Sequence, residues 1–217
     1  MLVIVCGLRD EQHIAKKSGV PTFCGINATA TLDSLVPAEC TGIISFGTCG
    51  ALSPELSVAD LLLGTSVTDD KAVHPVDSAW FKRLSAGLKR ARIKEAPILS
   101  HGKETAHTPA ERAALFAHTQ CWAVDDESKA VARLATKRGI PFVVLRAVSD
   151  DAASELPLAA RNVILPDGNA DVAAVFAALR ASPSQLFDLQ KTAVEYHMAV
   201  GRLWDAYRTV GPDYCFA

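Results

Sequence analysis

The chain is poor in aromatic residues (6%), has two methionines, and holds no apolar run near the length a membrane helix needs; such a helix takes about 20 residues. It also lacks a charge excess. Its 22 Lys+Arg against 24 Asp+Glu leave a formal −2, which argues against a nucleic-acid binder with a basic face. No CxxC pair, HExxH or HxH occurs, so Cys6, Cys24, Cys40, Cys49, Cys121 and Cys215 read as small core residues, neither disulfides nor zinc ligands. His13, His74, His101, His107 and His118 read as surface or core, with His74 and His101 near enough to strand ends to line a pocket. The opening MLVIVC has no basic residue before its apolar stretch and meets acidic residues at once, so it reads as a buried strand and not as a signal peptide. A cytoplasmic, reducing setting is expected. Ordinary apolar content (49%) over 217 residues excludes disorder and suits a single domain spanning 1–217. No repeat, low-complexity tract or linker interrupts it.

What is present is alternation. Stretches 2–6, 42–46, 60–68, 96–101, 121–125 and 141–149 read as strands, several of them apolar at consecutive positions, as strands covered on both faces are. Helical patterns fall at 27–35, at 78–92, from Thr108-Pro109 onward, at 127–138 up to Gly139, and at about 184–208. The expected fold is therefore a three-layer α/β/α domain around a central mixed, mostly parallel sheet. Ligands in such folds sit at the carboxyl ends of strands.

Three strand ends carry unusual chemistry. Cys6-Gly7-Leu8-Arg9-Asp10-Glu11 puts a glycine turn before charged residues, and Ser45-Phe46-Gly47-Thr48-Cys49-Gly50 can turn backbone N–H groups toward an anion or polar ligand. The third strand finishes in Asp150-Asp151, of which alternation sends at most one into a given site. The strand at 121–124 ends in Asp125-Asp126-Glu127, three acids where helix capping asks for one.

These segments resemble the nucleoside phosphorylase/nucleosidase superfamily, which includes purine nucleoside phosphorylases and methylthioadenosine/S-adenosylhomocysteine nucleosidases. Residues 45–51 look like its glycine-rich phosphate/ribose loop, Val124-Asp125-Asp126-Glu127-Ser128 like its V-[DE]-M-E-[AGS] segment, and residues 141–150 like its P-F-V-V-x-R-x-[IV]-S-D strand. The resemblance covers about residues 1–180, and the S-F-G loop leans toward the hopanoid-associated branch, which acts on an adenosyl-lipid. It implies cleavage of the N-glycosidic bond of an adenine nucleoside or adenosyl compound. Glu127 would accept the ribose hydroxyls, Asp150 would hold and protonate the purine at N7, and Ser149 and Asp126 would flank the substrate. Gly47 and Thr48 would contact phosphate, or the sugar and water, with Gly7 on the other side.

Asp126 stands where the family usually has methionine, and Ser45 where some phosphorylases carry an arginine. Arg9 is then the best cation for phosphate, followed by Arg146, whose place within a strand suits pairing with a carboxylate. Phosphorolysis, with inorganic phosphate as co-substrate and no other cofactor, is the expected reaction. Hydrolysis with Glu11 (or Gln12) as the base and a non-catalytic nucleoside binder are the alternatives. A homodimer or larger assembly is expected from the resemblance, with no nucleic-acid partner, no metal and no integral membrane segment.

Overall fold

A computed structural model describes residues 1–25, 28–100, 106–161, 165 and 167–216. The strands are β1 (Leu2–Cys6), β2 (Thr22–Cys24), β3 (Gly42–Ala51), β4 (Leu61–Thr68), β5 (Val73–Pro75), β6 (Lys94–Leu99), β7 (Ala123–Val124) and β8 (Phe142–Asp150). The helices are α1 (Arg9–Lys16), α2 (Thr29–Leu35), α3 (Ser78–Gly87), α4 (Pro109–Thr119), α5 (Ser128–Arg138), α6 (Val172–Ala181) and α7 (Leu186–Val210).

Strand alternation divides the apolar runs between two cores. Val3, Val5, Ile43 and Val144 face α2 and α5 through Leu32, Val131 and Leu134. Leu2, Ile4, Ile44, Val143 and Leu145 face α1, α3 and α7 through Ile14, Trp80, Leu84 and Leu203. Both faces of the sheet are thus covered, which is why these strands are apolar at successive positions.

Five strand pairings are parallel (β1 with β2 and β3, β3 with β8, β4 with β6, β6 with β7) and three antiparallel, so the sheet is mixed and mostly parallel. It also closes on itself. From β3 the pairing runs through β8, β4 and β6 to β7, which returns to the far end of β3 at Gly50 and Ala51. That closure gathers the ends of β3, β7 and β8 around one hollow.

Two short strands and two helices fall outside the sequence-based elements: β2, β5, α1 and α6. The helix expected at 127–138 begins at Ser128, and the one expected at 184–208 runs Leu186–Val210. Asn27, the expected start of α2, and His101, the expected end of β6, lie outside the described residues. All six cysteines are free thiols, four of them buried. Among the described residues no helix is long and apolar enough to cross a membrane.

Candidate active site

A cavity of about 550 Å³ opens where β1, β3, β7 and β8 end. Gly7, Glu11, Thr48, Asp126, Glu127, Ser149 and Asp150 line it, so seven of the residues singled out in the sequence meet in one hollow. Gly47 and Arg9 do not line it. Gly47 lies behind, where an added Cβ would come within 2.5 Å of both Arg146 Nη1 and Glu11 Oε2. Arg9 is half exposed on the outer wall, hydrogen-bonded to Gln12 and 3.9 Å from Asp167, so it does not supply the cavity's cation.

Glu11 owes its place to α1. As the third residue of that helix it reaches back to the unpaired N-terminal amides, a carboxylate at the positive end of the helix. Its Oε2 accepts from the amides of Gly7 and Leu8, both at 2.9 Å. Its Oε1 accepts from the Thr48 amide at 2.7 Å and the Thr48 hydroxyl at 2.8 Å. The donors of the two glycine turns therefore do converge on an anion, and that anion is the protein's own Glu11. Burial pushes its carboxyl above the ordinary value, although Arg146 and these hydrogen bonds pull the other way. Gln12, the other residue considered as base, turns instead to Arg9 and the Thr22 carbonyl.

The acidic triplet splits by role. Asp125 is buried and structural: it accepts from Ser100 Oγ at 2.6 Å and from the Ser128 amide at 3.0 Å, which caps α5, and Arg146 Nε lies 2.8 Å from its Oδ2. That contact is the carboxylate pairing the place of Arg146 in the strand suggested, and the fully buried Arg146 also donates to the hydroxyls of Ser45 and Ser128. Glu127 sits against the backbone of Gly7, where a Cβ would come within 2.6 Å of its Oε1, so only glycine admits it. Its second oxygen is 3.5 Å from Arg146 Nη2. Burial, partly offset by Arg146 and reinforced by Asp125, Glu11 and Asp126, pushes the Glu127 carboxyl up to about 8.

At the end of β8 the register with β3 shifts, so that Val148 pairs Cys49 but Asp150 pairs Gly50, with Ser149 as the extra residue. Such a bulge re-aims side chains, and here both Ser149 and Asp150 reach the cavity. Ser149 Oγ donates to Asp150 Oδ1 at 2.7 Å, and Arg112 Nη2 pairs with Oδ2 at 2.5 Å.

Arg112 and His107 are the site residues that the sequence reading missed. Arg112 lies on α4 and is 2% exposed; an arginine one turn from Leu115 and Phe116 was the available signal. Burial, then Arg161, lowers His107 below the usual imidazole value. His74 is elsewhere, held by Asp69 and Thr136 beside the β4–β5 hairpin. Among the described residues no group of three His, Cys, Asp or Glu could hold a metal ion.

The family model of the phosphorylase superfamily matches residues 21–181. The chain belongs to that superfamily. A 5′-methylthioadenosine/S-adenosylhomocysteine nucleosidase of Anoxybacillus flavithermus is 28% identical over 166 residues, 64% of this chain and 68% of that protein. An aminodeoxyfutalosine nucleosidase of Helicobacter pylori is 28% identical over 147 residues, 58% of this chain and 64% of that one. Among solved structures, the Helicobacter pylori 5′-methylthioadenosine/S-adenosylhomocysteine nucleosidase with butyl-thio-DADMe-Immucillin-A overlays with a TM-score of 0.63 at 15% identity, over 95% of this chain and 97% of that one. At that identity the overlay speaks for the fold.

Proposed function

We propose that the protein hydrolyses the N-glycosidic bond of an adenine nucleoside, releasing adenine and the free sugar. One observation carries the choice of water over phosphate. The four donors that would cradle a phosphate, the amides of Gly7, Leu8 and Thr48 and the Thr48 hydroxyl, are all taken by Glu11. The walls add the carboxyls of Asp125, Asp126 and Asp150, and that of Glu127, which burial pushes up to about 8, against Arg112 in the wall and Arg146 behind it. A phosphate dianion is repelled there, whereas a sugar ring gaining positive charge is stabilised. Of the two reactions the sequence left open, this reading takes hydrolysis, the alternative, over phosphorolysis. The names of the curated relatives, both nucleosidases, support the same reading.

In this reading Thr48, donating its proton to Glu11, turns its oxygen lone pairs to the cavity and receives the attacking water. As the water oxygen bonds C1′ and the C1′–N9 bond breaks, a water proton passes to Thr48 Oγ and the Thr48 hydroxyl proton passes on to Glu11. A buried carboxylate of raised basicity suits that task. Glu127 takes the ribose hydroxyls, and Asp150 holds the base and protonates it at N7. Next to the sugar end, a second chamber of about 400 Å³ is walled by Leu8, Leu156, Val175, Leu189 and Ala193, and it fits an apolar substituent on the 5′ carbon. Phe176, Phe187, Val194 and Met198, exposed on α6 and α7, favour a homo-oligomer.

The test is adenine release from 5′-methylthioadenosine, assayed with and without inorganic phosphate. Equal release with free sugar as product is expected; release that requires phosphate, or none from any 5′-substituted adenosine, overturns the reading.

A further inference from the structure

Arg112 has more partners than a helix-surface arginine needs. Its Nε donates to the Ala106 carbonyl at 3.0 Å, and its Nη1 donates to the carbonyls of Ala51 at 3.2 Å, Asp151 at 2.8 Å and, more weakly, Asp150 at 3.4 Å. Its Nη2 lies 2.5 Å from Asp150 Oδ2. One guanidinium thus ties together the end of β3, the end of β8 and the approach to α4, and it spends its last donor on the carboxyl that faces the base. α4 is built to hold it there, with Thr108 and Glu111 capping its first turn reciprocally. These four carbonyl contacts would satisfy a purely structural arginine. The further contact, with Oδ2, has a geometric consequence, because a planar fork restricts the rotation of the carboxyl it holds.

We propose that Arg112 is a positioning residue for base recognition. It pins Oδ2 of Asp150 so that Oδ1, steadied by Ser149, meets the purine. The proposal rests on the hydrolase reading given above. Asp150 gives its own proton to N7 of the leaving base, while water gives its hydroxyl to C1′ and its proton, through Thr48, to Glu11, so the balance of the reaction is unchanged.

Two substitutions separate geometry from charge. Arg112→Lys keeps the cation and loses the fork: kcat is expected to fall at least tenfold with KM little changed. Arg112→Gln removes both cation and fork, and kcat is expected to fall at least as far, again with KM little changed. A folded Arg112→Gln enzyme with unchanged kcat, or with its loss in KM alone, overturns the proposal. Should that variant fail to fold, Arg112→Lys is compared in the Asp150→Asn background. There the lysine substitution is expected to cost nothing further, and fold-losses that multiply independently overturn the proposal instead. Absence of adenine release from the unsubstituted protein would be the failure of the hydrolase reading, and is told apart from either result because the variants are judged only against an active parent.

Discussion

At the scale of single residues, Glu11 decides the chemistry. A carboxylate has about four lone-pair positions, and the Gly7, Leu8 and Thr48 amides and the Thr48 hydroxyl engage all four. The hydroxyl is the one donor of these that can rotate, so it is the one through which water gains access. Glu11→Gln keeps the size but gives up two acceptor positions and the basicity. It is expected to lower kcat by ~10²–10⁴, the usual worth of a general base, while a bound nucleoside analogue still titrates by calorimetry. Unchanged turnover would remove Glu11 from the mechanism. The sequence placed Glu11 beside the right strand end but left Gln12 open, because the face a residue takes on α1 depends on a helix that the charged run Arg9-Asp10-Glu11 did not announce.

At the scale of elements, close approach matters more than propensity. The backbone of β3 passes Arg146 and Glu11 so closely that a methyl group on Gly47 would overlap both at 2.5 Å, and neither is the free end of a mobile chain. Gly47→Ala is therefore expected to destabilise the fold by about 1–3 kcal/mol, the range for forcing extra volume into a packed interior, measured by urea unfolding. A neutral result would mean that the loop yields. The long elements were legible: β1, β4 and β8 follow apolar runs, and α5 ends at Gly139 as its C-cap does. β2 and β5, three residues each, carry too little pattern to register. The bulge at Ser149 was equally invisible, since it is a mismatch between two strands and belongs to neither alone.

For the whole molecule, opposing carboxyl groups shape the response to pH. Burial would raise Asp69, but Arg133, the amides of Lys71 and Ala72, and His74 outweigh it and hold its carboxyl well below the ordinary value. A depressed acid contributes stability above its unfolded pKa, near 4, and that contribution is lost as pH falls. Glu127 works in the opposite sense. Raised to about 8 by burial and its acidic neighbours, it favours the protonated fold, so stability declines as pH rises from about 4.5 toward 8. The melting temperature of the ligand-free protein is accordingly expected to peak near pH 5 and fall on both sides. Glu127→Gln should flatten the alkaline side, and an unchanged slope there would show that Glu127 is already ionised in the fold.

The amino-acid sequence by itself determined the alternation of strands and helices, the two-faced burial of the central strands and the segments that carry acids and glycines at their ends. These follow from local periodicity and side-chain chemistry, which need no partner to be read. Only the tertiary structure decided which of those groups act together. Closure of the sheet from β7 back to β3 brings Arg112 to Asp150, fills the anion cradle with Glu11 and leaves Arg9 outside. The physical reason is that each outcome depends on distances between residues remote in the chain, Thr48 from Glu11 by 37 positions and Arg112 from the Asp150 carbonyl by 38.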